Sequence, residues 1–132
     1  MQYVLKDKVF PEIGAWADEL AQIRRDIHAH PELGFETKRT VALLKEKLHS
    51  WGVTELDDTT VPGALIAVVD GARPGPAVAL RGDIDALSVN EETGLPYASE
   101  VPGVMHACGH DCHISMLLTA AMIVNEIRDR LK

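Results

Sequence analysis

Five of the chain's eight cysteine and histidine residues fall in the stretch His106-Ala107-Cys108-Gly109-His110-Asp111-Cys112-His113, where random placement would put about half of one. Thiolate and imidazole are the donors that Zn²⁺ prefers, so the stretch reads as a metal site. In an extended backbone His106, Cys108 and His110 alternate onto one side, and a thiolate and imidazoles converge on one point. Gly109 removes bulk between Cys108 and His110 and permits an unusual backbone there. Asp111, near the start of a helix, complements its dipole and can orient a ligand imidazole. A structural zinc site usually takes its ligands as separated pairs. Here every candidate sits in one stretch, so a catalytic site completed by distant carboxylates fits better. The plainer alternative is a turn with a buried cysteine and satisfied histidines.

A second cluster, Arg81-Gly82-Asp83-Ile84-Asp85, stands at the exit of an apolar run, where open α/β sheets place their ligand sites. Carboxylates at i and i+2 share one face, and one can touch a metal or hold its ligand. Glu91-Glu92 lies in the turn-rich Asn90-Glu91-Glu92-Thr93-Gly94 and reads as a solvated loop. His28 and His30 close a helix and read as caps for its last carbonyls, and His49 reads as surface. Cys108 and Cys112 lack the Cys-x-x-Cys spacing of a redox pair.

The elements that must position these residues follow from periodicity. Ile13, Trp16, Ala17, Leu20, Ile23 and Ile27 recur at three- and four-residue steps, which predicts an amphipathic helix from Pro11 to about His28. His30-Pro31 and Gly34 break it, and a second helix runs from Glu36 or Thr37 through Ser50, closed by Gly52. The two should be neighbours. Val53 to Leu56 and Ala64 to Val69 read as strands, and Ala77 to Leu80, apolar on both faces, as a central strand. A long connection from Ile84 to Gly109 leads into a last helix, Asp111 to Leu131.

With 132 residues, 46% hydrophobic and 25% charged, the chain fits one soluble layered domain. A net charge of −7 disfavours nucleic acid and anionic membrane as partners. The apolar runs fall short of the ~20 residues that span a bilayer. Met1 to Asp7 lacks the pattern of an export signal, so a cytoplasmic location is expected.

Four motifs in order carry a resemblance: His30-Pro31-Glu32-Leu33-Gly34-Phe35-Glu36, Arg81-Gly82-Asp83-Ile84-Asp85-Ala86-Leu87, Glu91-Glu92-Thr93-Gly94-Leu95-Pro96-Tyr97 and Met105-His106-Ala107-Cys108-Gly109-His110-Asp111. Over nearly the whole chain they resemble the hippurate hydrolases and N-acyl-amino-acid amidohydrolases of the aminoacylase and carboxypeptidase superfamily of co-catalytic metallopeptidases. The resemblance implies hydrolysis of an N-acyl amino acid by a water at one or two Mn²⁺ or Zn²⁺ ions, which lower its pKa and polarise the carbonyl. Residue by residue, it makes Cys108 and His110 metal ligands, with the Cys108 thiolate bridging two ions, and Asp85 the active-site aspartate behind the ligands. Asp83 stands where other branches carry a ligand histidine; with His106, Asp111 and His113 it is placed in support of the ligands.

Members of that family are much longer. Beyond the helix matching 111 to 131 they carry a strand, a Glu-Glu pair supplying the general base and a metal ligand, two more ligand histidines and a dimerisation domain. Residues 1–132 therefore correspond to the N-terminal part of the catalytic domain, without the dimerisation domain and C-terminal half. The expected architecture is an α/β three-layer fragment: two helices, a small mixed sheet of about three strands, a long loop and a closing helix. A poor hydrolase, or none, is expected of the chain alone, with an exposed sheet face that invites self-association or a complementing chain. The competing reading is a non-catalytic, truncated metal-binding or subunit-interaction module.

Overall fold

The computed structural model describes residues 11–131, and the reading of Met1 to Asp7 lies outside them. Helix α1, Pro11–Ala29, starts on a proline, whose missing N–H costs nothing in a first turn. It stops at Ala29, immediately before His30-Pro31, where the proline disfavours helical backbone. Ile23 and Ile27 of its apolar stripe are buried. Helix α2, Lys38–Ser50, has no side-chain cap from Thr37. Glu32 caps it instead, accepting from Arg39 N at 3.0 Å and Thr40 N at 2.7 Å, so a carboxylate sits at the positive end of the dipole. Gly52, at φ +86°, turns the chain out of α2.

Strands β1, Glu55–Asp57, and β2, Ile66–Val68, pair antiparallel, with Glu55 opposite Val68 and Asp57 opposite Ile66. Helix α3, His110–Glu126, follows the long connection and passes into a single 3-10 turn, Arg128–Arg130. The core joins Ile23 and Ile27 of α1, Leu44 and Leu48 of α2, Val53, and Ile114 and Leu118 of α3. Full burial of one such side chain contributes about 1.5–3 kcal/mol. Arg39 to Asp26 (2.9 Å) and Lys47 to Glu19 (3.3 Å) bridge the neighbouring α1 and α2.

The α/β class and the three helices agree with the sequence reading, but the sheet does not. It has two antiparallel strands where a mixed sheet of about three was expected. Ala77 to Leu80 is not a strand: Val78 is 84% and Leu80 61% exposed. A central strand needs partners on both edges and cover on both faces, and no described segment pairs with this one. The first strand also begins later than expected, because Val53 is committed to the helical core.

Candidate metal centre

Two backbone bridges bring the motifs together. Ala86 N donates to Glu32 O at 2.7 Å, making a parallel bridge between Leu33 and Ala86. Leu87 and Met105 exchange both N–H···O bonds, at 2.9 and 3.0 Å. The long connection is thereby doubled back, and Asp83 and Asp85 lie beside the start of α3.

That start is set by Gly109 at φ +84°. A Cβ there would meet nothing within 4 Å, so it is the left-handed backbone, not space, that selects glycine. His110 and His113, three apart on α3, fall on one face, with ring centroids 5.2 Å apart. Gly82 packs against the same turn: a Cβ on it would lie 3.2 Å from Leu117 Cδ2 and 3.4 Å from His113 O. This close approach delivers Asp83. Asp83, His110 and His113 each bring one ligand atom to within 4.8 Å of the others, the one such group among the described residues. Asp85 holds His110 from behind: Nδ1 lies 2.8 Å from the Asp85 carbonyl and 3.1 Å from its Oδ1.

On the other side of the α3 start lies a buried polar network. Asp111, wholly buried, accepts from His28 Nδ1 at 2.7 Å and pairs with Arg24 Nε at 2.7 Å. His28 Nε2 donates to Glu91 Oε1 at 3.2 Å, and Ser99 N donates to Glu91 Oε2 at 2.6 Å. Thr93 donates its hydroxyl to the same carboxylate. Burial pushes the Glu91 carboxyl up, but the donors from Thr93, Ser99 and His28 outweigh it and hold the group below its ordinary 4.5. His106 is also buried, and neither ring nitrogen has a protein partner. Burial, opposed by Asp111 and aided by His28, His110 and Arg24, holds its imidazole below the usual 6.5.

The sequence-predicted residues therefore separate. Asp83, Asp85, His110 and His113 come together. Cys108 is an exposed free thiol in a turn and lies outside the group of ligand atoms. His106 is buried, so the expected extended alternation of 106, 108 and 110 is replaced by a turn at Ala107-Cys108. Asp111 faces α1, with its charge spent on Arg24 and His28.

Two expectations are corrected outright. His28 is not a cap, although His30 is one, its Nδ1 donating to Asp26 O at 2.8 Å. Glu91 is not solvated, its side chain being 3% exposed. The signal for the network was present: Leu20, Arg24 and His28 lie four apart, so two polar residues continue an apolar face.

Two imidazoles and a carboxylate are borderline donors suited to Zn²⁺ or Mn²⁺, and the Asp85 bond takes His110 Nδ1, leaving Nε2 for an ion. The residues present fit a divalent metal.

Residues 79–132 match the family model for peptidase family M20/M25/M40. The chain is 42% identical over 128 residues, 97% of its own length, to an N-acyl-L-amino acid amidohydrolase of Geobacillus stearothermophilus, of which it covers 32%. It is 42% identical over 118 residues, 89% of its length, to an N-acetylcysteine deacetylase of Bacillus subtilis, of which it covers 31%. Among solved structures it superposes on the Bacillus subtilis YXEP protein, a dinuclear metal binding peptidase from the M20 family. The TM-score is 0.86 at 41% identity, over 90% of this chain and 33% of that one. The chain thus spans about a third of the length of the relatives it matches.

Proposed function

The chain belongs to peptidase family M20/M25/M40, and from that premise we propose that it carries one part of the site of a metal-dependent hydrolase. The bond cleaved is the amide of an N-acyl amino acid, with hippurate-like compounds among the substrates. The observation that carries the reading is the clamp of Asp85 on His110 beside Asp83 and His113. The relatives' activities on N-acyl amino acids support the substrate class.

In this proposal Cys108 and His110 are metal ligands of the complete site, as the motif resemblance implies, and the ion is Mn²⁺ or Zn²⁺. When bound, it supplies Lewis acidity toward the amide carbonyl and acidifies water. The chain's own residues do the positioning. Asp85 fixes the tautomer and plane of His110 through Nδ1. Arg81 donates to Asp83 Oδ1 at 2.6 Å in an exposed pair, and the contact of Gly82 with the α3 turn sets that segment beside the histidines. The Asp111 network anchors the first turn of α3 from inside, which keeps both histidines in place. Residues 1–132 are assigned to the N-terminal part of the catalytic domain, the general base and further ligands coming from parts matching the rest of the relatives' length. No helix among the described residues is long and apolar enough to cross a membrane, and the proposed location is the cytoplasm.

A specific observation favours a second reading, a non-catalytic metal-binding or subunit-interaction module: Val78 and Leu80 are exposed in a run shaped for a strand. Release of free amino acid from a panel of N-acyl amino acids, with Mn²⁺ or Zn²⁺ added, separates the two. Turnover lost in Cys108→Ala and Asp85→Asn supports a working site. Metal binding without turnover supports the module.

A further inference from the structure

Thr37 stands at the start of α2, where its hydroxyl would ordinarily accept from the first free N–H groups of the helix. It donates to Gly63 O at 2.5 Å instead, and the carboxylate of Glu32, upstream in the chain, accepts from Arg39 N and Thr40 N. A carboxylate with both oxygens so engaged fixes the residue that bears it. The main chain of that residue faces a different segment. Glu32 O accepts from Ala86 N at 2.7 Å, and Ala86 is only 3% exposed, so the bond is shielded from water. The N–H of Ala86 and the carbonyl of Asp85 belong to one peptide group, whose trans planarity points them in opposite directions. On the other side that carbonyl accepts from His110 Nδ1 at 2.8 Å. A single rigid plane thus stands between Glu32 and His110.

We infer that Glu32 is a positioning residue for His110, acting through the Asp85–Ala86 peptide group. The use of that placement to an ion rests on the reading of this face as a divalent-metal site. Two bonds hold His110 Nδ1, and the Asp85 carbonyl is the nearer partner, at 2.8 Å against 3.1 Å for Asp85 Oδ1. The Asp85 side chain is 39% exposed and open to solvent, whereas the carbonyl turns only if the peptide plane turns. Because a carbonyl can only accept, it demands the Nδ1–H tautomer and leaves the lone pair on Nε2. Turning the plane breaks the bond from Ala86 N to Glu32 O, and shifting Glu32 pulls its carboxylate off two N–H groups at the positive end of α2. The donors all point one way, from His110 through the peptide to Glu32, so each bond polarises the next.

The test is the tautomer of His110 in the metal-free chain, read by NMR from the ring-nitrogen shifts of isotope-labelled histidine at mildly alkaline pH and assigned against His110→Gln. Calorimetric Zn²⁺ titration accompanies it, and all variants are compared where circular dichroism shows native helix content. Expected is a predominant Nδ1–H tautomer in the wild type. Glu32→Ala should mix the two tautomers and weaken Zn²⁺ binding about 10- to 100-fold, the usual cost of losing a partner that orients a ligand. Glu32→Gln keeps one acceptor oxygen for α2, so it should shift both readouts in the same direction by a smaller, measurable amount. It decides the matter should Glu32→Ala lose its helices. Thr37→Val removes the bond to Gly63 and loosens the same helix start without touching Glu32. It should lower the thermal midpoint while leaving tautomer and affinity at wild-type values. Wild-type tautomer and affinity in the folded Glu32 variants, or an equal tautomer shift in Thr37→Val, would overturn the inference. A tautomer that follows Glu32 in a chain whose wild type binds no Zn²⁺ would overturn the metal reading and leave the inference standing.

Discussion

His28 Nδ1 and Asp111 Oδ2 meet at 2.7 Å across 83 positions of sequence, joining the last turn of α1 to the first turn of α3. Arg24 pairs with the same carboxylate oxygen, and Glu91 takes the other nitrogen of the same imidazole. The turn that presents His110 and His113 outward is therefore held inward by its own neighbour, Asp111.

Removing that neighbour should unfold the site. Asp111→Ala strands a buried imidazole and a guanidinium, and breaking a buried pair in this way costs about 3–5 kcal/mol. Urea denaturation should show a lowered midpoint at an unchanged slope. A loss below about 1 kcal/mol would mean that the network is not what anchors α3.

Acid should loosen the same region. Glu91 titrates below its ordinary 4.5 in the folded chain, so protonation favours the unfolded chain. Its stabilising contribution is complete above the unfolded value and is lost as pH falls through 4.5 to the folded value. Glu91→Gln should flatten stability against pH in that window and leave the curve near neutrality parallel to wild type. An unaltered slope below 4.5 would show that Glu91 is not the responsible group.

Gly63 adopts φ +71°, and a Cβ on it would lie 2.2 Å from Phe35 O. Its carbonyl accepts the Thr37 hydroxyl at 2.5 Å, so the β1 to β2 connection is pressed against the turn before α2. Gly63→Ala combines left-handed strain with a backbone clash and should cost at least about 2 kcal/mol in thermal unfolding. Gly34→Ala is the matched control, because it has a positive φ but open space at Cβ. Equal losses in the two would refute the clash.

Gly82→Ala should act on the metal face and not on folding. The added methyl meets Leu117 and the backbone of His113, so the Arg81 to Asp85 segment backs away from α3. Calorimetric metal titration should show about a tenfold weaker affinity, with thermal stability changed by less than about 1 kcal/mol. Wild-type affinity would separate Gly82 from the delivery of Asp83.

Val78 and Leu80 present apolar side chains on an unpaired segment, the kind of edge that seeks a partner. Sedimentation velocity should show concentration-dependent self-association that Val78→Lys with Leu80→Lys abolishes. A monomer in both would remove self-association through this segment.

Much of this protein was legible in local sequence. The three helices follow from apolar spacing and from the Pro31, Gly52 and Gly109 punctuation, because a helix satisfies its own backbone and carries its period in the chain. The clustering of His and Cys at 106–113, and the Asp83-x-Asp85 pair, also marked the chemical face from spacing alone. A strand is different, since its hydrogen bonds belong to a neighbour. Ala77 to Leu80 has strand composition and no partner among the described residues, so composition alone misplaced it. Which members of a dense cluster converge was likewise beyond the sequence. The turn at Ala107-Cys108 turns Cys108 outward, the approach of Gly82 brings Asp83 to His113, and the fold buries His28 and Glu91 around Asp111. Those pairings depend on contacts between distant segments, and only tertiary packing decides them.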